Sequence, residues 1–143
     1  MALTPRERAE KAAAVMWEGD RGSKWLGMVM DTVDEGTATL ILTVQPHHAN
    51  GHGTCHGGVI FSLADSAFAF ACNSRNQRTV AQHNSISYIT PAQVGDQLFA
   101  TAKEVSLAGR NGIYDVQVTT AKGTRTAEFR GCSRTIAGTH FDE

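Results

Sequence analysis

Hydrophobic and polar positions change their spacing several times along the chain, and each change predicts a new element. The residues TPRE at 4–7 are typical of a helix start: Thr4 is a good capping residue, proline suits the first turn, and Glu7 completes a capping box. We predict a helix that runs to about Glu18 and forms an N-terminal helical extension over residues 1–22.

Most of the remaining chain consists of runs with β-branched or aromatic residues, separated by turns that contain glycine, and this pattern is typical of strands. One long segment, 57–73, instead repeats its apolar residues at helical spacing, and because it is apolar nearly all round we expect a buried helix. The predicted strands are 26–33, 35–44, 80–90, 95–108, 113–121 and 124–138, with turns at 34–36 and 109–112 and a loop at 45–56. This order predicts an α+β fold, with one antiparallel sheet wrapped around the helix.

Length, net charge and cysteine content indicate what kind of protein this is. A length of 143 residues favours one domain over 1–143, and a net charge of -1 gives no general attraction to nucleic acid or to a membrane surface. Three cysteines do not make a disulfide framework, so a reducing compartment is favoured. The N-terminus lacks an apolar run of signal-peptide length, and no segment suits a membrane span. We therefore expect a soluble, cytoplasmic protein.

The most apolar segment of the chain contains a single charged residue. Asp65 is the one charge between Gly57 and Ser74, in the run GGVIFSLADSAFAFACNS. An unpaired carboxylate removed from water costs several kcal/mol even after relaxation, so we expect something to offset this cost. A catalytic carboxylate is the leading explanation, and a structural hydrogen bond to a neighbouring loop is the alternative.

The start of the predicted helix has the chemistry to bind a developing negative charge. The first backbone N–H groups of a helix lack intrahelical partners, and the helix dipole favours an anion there. Gly57 and Gly58 would let a ligand approach this backbone closely, although they could instead serve tight packing. Asp65 lies eight residues further on, which is about 12 Å along a helix. One chain therefore cannot bring Gly57 and Asp65 to the same carbonyl group.

The motif that joins these residues resembles that of the hotdog-fold acyl-CoA thioesterases, and most of all their phenylacetate-degradation type, PaaI. The resemblance is carried by Asn50, the HGG at 56–58, the LAD at 63–65 and AFAFACNS at 67–74, with the later strands adding to it. It implies a hotdog fold in which a curled antiparallel sheet wraps a long central helix. It also implies a homodimer, and usually a dimer of dimers, in which Asp65 of one subunit faces Gly57 of the other.

The resemblance also implies roles for individual residues. The Gly57 N–H would stabilise the oxyanion, and Asp65 would act as a general base towards water or as a nucleophile towards the thioester. Asn50 matches a side chain used near the thioester carbonyl or the attacking water, and His56 would hold the loop or contact the substrate. Asn50 as a turn residue and His56 as a helix-entry residue are the alternatives.

Two hydroxyl groups found in branches of this family are missing. Alanines occupy both places, Ala69 one turn after the acid and Ala81 on the following strand. Another group must then position the water, and the nearby candidates are His83, Asn84 and Ser85.

One basic residue near the second hairpin, Arg110, resembles the residue that meets the coenzyme A phosphates in this family, and two others could add charge. Arg110 lies in the 109–112 turn, and Arg130 and Arg134 alternate on the last strand. Guanidinium groups suit phosphates, and Gly58 would add close approach to the backbone. The alternative for each arginine is an ordinary solvated side chain.

The loop before the helix raises the question of zinc. It contains His47, His48, His52, Cys55 and His56, and the His52–Cys55 spacing is that of a short ligand pair. A second clear pair is absent from the sequence, so we predict no metal site. No other cofactor is expected, because coenzyme A is part of the substrate.

Together these observations predict an acyl-CoA thioesterase that acts on an aromatic acyl group of the phenylacetyl or hydroxyphenylacetyl kind. The acyl preference rests on the resemblance. Three other functions remain: an acyl-CoA sensor without activity, a hotdog hydratase or dehydratase, and a purely structural oligomer. Asp65 argues against the sensor and the structural oligomer, and the His-Phe-Pro type signature expected of a hydratase is absent.

Overall fold

The computed structural model describes residues 2–143 of the chain. Helix α1 spans Pro5–Gly19, and its predicted capping box is confirmed. The Glu7 N–H donates to Thr4 Oγ1 at 3.1 Å, and the Thr4 N–H donates to Glu7 Oε1 at 3.0 Å. Reciprocal bonds of this kind satisfy two backbone donors that the helix leaves without partners.

A second helix, α2 at Arg21–Leu26, was not predicted. Asp20 caps it by accepting hydrogen bonds from the Ser23 N–H and hydroxyl, and Gly27 ends it at a φ of 90°. The predicted strand start at Leu26 is therefore wrong, because the first strand begins at Val29. Six residues are too few for a helical repeat to be visible in the sequence.

Six antiparallel strands form one sheet in the order β1-β2-β4-β5-β6-β3. The strands span β1 Val29–Asp34, β2 Thr37–Thr43, β3 Thr79–Tyr88, β4 Gln97–Ala108, β5 Asn111–Thr120 and β6 Arg125–Thr135. The predicted α+β class and antiparallel sheet are confirmed. The turn between β4 and β5 is shorter than predicted: Gly109 and Arg110 form it, with Gly109 at a φ of 60°, and Asn111 already belongs to β5.

The predicted central helix is helix α3, Gly57–Cys72, and it packs into the curled sheet. Its sheet-facing residues, among them Leu63, Ala67 and Phe68, are buried. Gly131 on β6 makes room for this packing, because a Cβ there would lie 2.7 Å from the Phe68 ring. The opposite side of α3, which carries Asp65, is only half-buried in the single chain.

Strand β3 forms one edge of the sheet and bonds to a single neighbour, β6. Most of its residues are exposed on both faces of the strand. Within residues 2–143, no helix is both long enough and apolar enough to cross a bilayer.

Candidate active site

The first turn of α3 leaves one backbone donor free. His56 caps the helix: its Nδ1 accepts from the Gly58 N–H at 2.9 Å, and its carbonyl accepts from the Val59 and Ile60 N–H groups at 2.9 and 3.3 Å. The Gly57 N–H has no partner in the part of the chain that is described. An uncapped N–H at a helix start is a ready hydrogen-bond donor for an anion.

His56 therefore has a role that the sequence left open. Because its Nδ1 accepts a hydrogen bond, this nitrogen is unprotonated, and the capping tautomer carries its proton on Nε2. The imidazole holds the Gly58 N–H and leaves the Gly57 N–H as the free donor. The Gly58 N–H is thus already engaged within the chain.

Tyr88 at the end of β3 lies against Gly57. Its hydroxyl donates to the Gly57 carbonyl oxygen at 2.8 Å, and a Cβ on Gly57 would lie 3.1 Å from the Tyr88 ring. The bond fixes the orientation of the carbonyl, and the ring shows why glycine fits this position. A pocket of about 290 Å³ opens here, lined by Asn50, Thr54, Cys55, Gly57, Ile60, Tyr88, Ile89, Thr90 and Pro91.

Asn50 reaches the same pocket through a tight turn. Its Oδ1 accepts from the His52 N–H at 2.9 Å, the Thr54 N–H at 3.2 Å and the Thr54 hydroxyl at 3.3 Å. Its amide Nδ2 has no partner among residues 2–143. Asn50 is thus both a turn residue and a free amide donor beside Gly57.

Asp65 lies away from this pocket and has its own partner. The Asn84 Nδ2 on β3 donates to Asp65 Oδ1 at 3.0 Å. Burial raises the pKa of the Asp65 carboxyl, and the hydrogen bond from Asn84 acts in the opposite direction. The carboxylate is therefore half-buried and held by one amide, which suits a group that must exchange a proton or attack a carbonyl.

Gly57 and Asp65 occupy separate parts of one chain. Both belong to α3, eight residues apart, which is about 12 Å of helix. Asp65 does not line the pocket beside Gly57. Within one chain the Gly57 N–H and the Asp65 carboxylate therefore cannot reach the same carbonyl.

The fold brings Arg110 and Arg134 together at one end of the sheet. Arg134 pairs across the strands with Asn111, the residue after Arg110, and the Thr135 N–H donates to the Arg110 carbonyl at 2.8 Å. Arg130, by contrast, is bound to the Asp115 carboxylate at 2.7 and 2.9 Å. An acidic residue on the neighbouring strand thus compensates the positive charge of Arg130, and a contribution of Arg130 to phosphate binding stays a prediction.

The histidine-rich loop does not assemble a metal-binding cluster in the described residues 2–143. His48 is buried, and its Nδ1 accepts from the Gln45 N–H at 2.9 Å. Burial raises the pKa of the Cys55 thiol to about 11, which disfavours the thiolate that zinc would need. The loop instead caps a helix through His56 and lines a pocket through Asn50.

Sequence reasoning missed Tyr88 and named Asn84 only as one of three nearby candidates. Both residues meet their partners across the fold, 31 residues from Gly57 and 19 residues from Asp65. Strand alternation places Asn84 and Tyr88 on one face of β3, and this was the signal available in the sequence.

Comparisons with known proteins show which family the chain belongs to. The family described as "Thioesterase superfamily" matches residues 52–127, which include Gly57, Asp65 and Asn84. The acyl-coenzyme A thioesterase PaaI of Escherichia coli strain K12 is 41% identical over 132 residues, covering 92% of this chain and 94% of that protein.

Solved structures agree with the sequence comparison. The structure of the E. coli PaaI protein from the phenylacetic acid degradation operon matches with a TM-score of 0.93 at 40% identity, covering 95% of this chain and 99% of that one. A mutant of the phenylacetic acid degradation protein PaaI from Thermus thermophilus matches with a TM-score of 0.79 at 35% identity, covering 82% of this chain and 100% of that one. The predicted hotdog fold is confirmed.

Proposed function

The chain belongs to the thioesterase superfamily and is a thioester hydrolase, and we propose that its substrates are acyl-CoA thioesters. The observation that carries this proposal is the start of α3. There His56 engages the Gly58 N–H and leaves the Gly57 N–H as a free donor beside a pocket. A donor held in this way stabilises the oxyanion that forms when a thioester carbonyl is attacked.

Asp65 supplies the other half of the chemistry. As a general base it takes a proton from water while the water oxygen bonds to the carbonyl carbon, and the carbon–sulfur bond then breaks to release coenzyme A. As a nucleophile its own oxygen attacks the carbonyl carbon and displaces the coenzyme A thiolate by breaking the carbon–sulfur bond. Water then hydrolyses the resulting anhydride, and the proton released passes to the thiolate. Both routes convert the thioester and one water into a free acid and a thiol.

Two copies of the chain would complete each site. The exposed edge strand β3 offers unpaired backbone groups along Thr79–Tyr88, and joining it to a second β3 extends the sheet. Asp65 of one copy and the Gly57 N–H and Asn50 amide of the other then face one thioester. A symmetric dimer carries two such sites. The association of two dimers into a tetramer stays a prediction.

Coenzyme A would be held mainly by Arg110 and Arg134. Both are exposed, lie at the same end of the sheet and have no acidic partner among residues 2–143. Two guanidinium groups at one place suit the phosphates of the nucleotide. Gly58 is exposed beside Gly57, so it would contribute close backbone approach rather than a hydrogen bond.

An aromatic acyl group of the phenylacetyl or hydroxyphenylacetyl kind is the proposed substrate class. Its support is the similarity to the E. coli PaaI protein of the phenylacetic acid degradation operon. The pocket beside Gly57 also has apolar walls from Ile60, Ile89 and Pro91 and one aromatic ring, Tyr88. Such walls suit a flat apolar group.

The test of this proposal measures thiol release from phenylacetyl-CoA, hydroxyphenylacetyl-CoA and aliphatic acyl-CoA with a thiol reagent. We expect hydrolysis without added metal, unchanged by a chelator, with the aromatic thioesters preferred. Asp65→Asn should lower kcat by about 10²–10⁴-fold, while Asp31→Asn, at an exposed position on β1, should leave it unchanged.

The outcomes separate the parts of the proposal. Release from no acyl-CoA contradicts the substrate class, and normal turnover by Asp65→Asn moves the carboxylate role to another residue. A single turnover in ¹⁸O-labelled water tests for the nucleophile route. Label in the Asp65 carboxyl group demonstrates that route, with water attacking the Asp65 carbon of the anhydride, because the general-base route never labels Asp65.

A further inference from the structure

Asn84 has an unusual hydrogen-bonding arrangement. Its Nδ2 donates to Asp65 Oδ1 at 3.0 Å, and its own Oδ1 is buried without a hydrogen-bond partner in the described chain. An ionised carboxylate only accepts hydrogen bonds, so the amide must turn its nitrogen towards Asp65 and its oxygen away. Asp65 therefore determines the orientation of the Asn84 amide.

This arrangement reduces the stability of the fold. A buried acceptor without a donor is destabilising, and an apolar side chain of similar shape would avoid that cost. Asn84 faces the helix on a strand where another helix-facing position is filled by Ile86, so the surroundings tolerate an apolar residue. The amide is therefore better explained by what it does for Asp65 than by packing.

The two positions where branches of the family carry a water-positioning hydroxyl have no polar side-chain atom in this chain. Residue 69 lies one turn beyond Asp65 on α3, residue 81 lies on β3, and both are alanines. Among residues 2–143, the bond from Asn84 is the only side-chain or capping bond to the Asp65 carboxylate, and Oδ2 accepts none.

We propose that Asn84 is a positioning residue of the active site, holding Asp65 by Oδ1 and leaving Oδ2 as the oxygen that reacts. This inference rests on the proposed function. It goes further by assigning different roles to the two carboxylate oxygens and by making Asn84 the side chain that orients them.

The electrostatic surroundings agree with that role. Burial raises the pKa of the Asp65 carboxyl and the bond from Asn84 lowers it, so the amide helps to keep Asp65 ionised. The nearest titratable group on α3 is the Cys72 thiol, whose pKa burial raises to about 12, so it stays uncharged. On the sheet, His83, Arg130 and Cys132 alternate with Asn84 and its cross-strand partner Gly131, and so lie on the other face.

Two variants test the proposal. Asn84→Leu removes the amide, and Asn84→Asp keeps its shape but replaces the donor with a second carboxylate. We expect kcat for the best acyl-CoA to fall by about 100-fold in Asn84→Leu, because the carboxylate loses its fixed orientation. KM should change less than about twofold, since no substrate contact is lost. The acid limb of the kcat profile should move to higher pH, most of all in Asn84→Asp, where a like charge is added.

A measurement that needs no substrate tests the role of Asn84 independently of the proposed function. The Asp65 carboxyl is titrated by ¹³C NMR in the wild type, both variants and the control Ser87→Ala, at an exposed position on the opposite face of β3. We expect a higher Asp65 pKa in both Asn84 variants and an unchanged one in the control. If no acyl-CoA is hydrolysed, the proposed function fails while this titration still decides the role of Asn84. An unchanged Asp65 titration in both variants overturns the positioning role.

Discussion

At Asp65, the charge state that the proposed hydrolysis needs differs from the charge state that favours the folded chain. Burial raises the pKa of its carboxyl, so the folded chain binds the proton more readily than the unfolded chain does. Where both states are ionised, the folded state bears the cost of holding the charge partly out of water. Below the unfolded pKa both states are protonated and the cost disappears. The ionised carboxylate that the proposed hydrolysis requires is therefore the form that destabilises the fold.

Asp65→Asn should accordingly stabilise the protein while it removes activity. At pH 7 we expect a Tm about 2–4 °C above the wild type, the shift that about 1 kcal/mol produces in a chain of this size. Asn carries no charge at any pH, so the difference in Tm between the variant and the wild type depends only on the charge of Asp65. This difference should shrink as the pH falls through the raised Asp65 pKa and be lost below the ordinary pKa range of aspartate. Thermal unfolding of both proteins at equal concentration from pH 3 to pH 8 measures it. An advantage that stays constant with pH would show that burial of the charge is not its cause.

The sequence predicted some helices more accurately than others. Helix α3 was predicted almost to the residue, because sixteen residues carry a clear helical repeat between a loop and a cap. Helix α2 was missed, because its six residues depend on one cap, Asp20, rather than on a repeat. The predicted roles of Gly57 and Asp65 came from the motif and the position in the helix. Their partners Tyr88 and Asn84 could not be assigned, because both bonds depend on how β3 lies against α3.

The start of α3 can be tested as an element, since proline removes a backbone N–H without breaking a first helical turn. His56 has a ψ of 134°, the extended backbone that a residue before proline prefers. Gly57→Pro should therefore keep α3 but lower kcat by about 10²–10³-fold through loss of the oxyanion donor. Gly57→Ala is the matched control, because it places a Cβ against Tyr88 and retains the N–H. Far-ultraviolet circular dichroism checks the helix, and equal losses in both variants would assign the effect to crowding of Tyr88 instead.

At the scale of the whole molecule, the fold separates the two halves of the proposed site. One half lies at the start of α3, with the Gly57 N–H and the Asn50 amide, and the other is Asp65 with Asn84 about 12 Å further along the same helix. A rigid helix keeps the halves apart in one chain. In the proposed dimer, a two-fold axis at the exposed edge of β3 and perpendicular to that strand would reverse the second chain, so that the start of one helix meets the carboxylate of the other. The proposed enzyme is therefore a property of the dimer.

Mixing two inactive variants tests this arrangement directly. In a dimer of one Asp65→Asn chain and one Gly57→Pro chain, one site carries both defects and the other carries neither. Random exchange of subunits gives half mixed dimers, so activity should recover to about one quarter of the wild-type value. The mixture of Asp65→Asn with Asp65→Ala is the control, since neither chain supplies a carboxylate and no activity should return. Recovery is measured by thiol release after joint refolding of equal amounts. If each chain holds a complete site, both mixtures stay inactive, because no combination of the defective chains then contains an intact site.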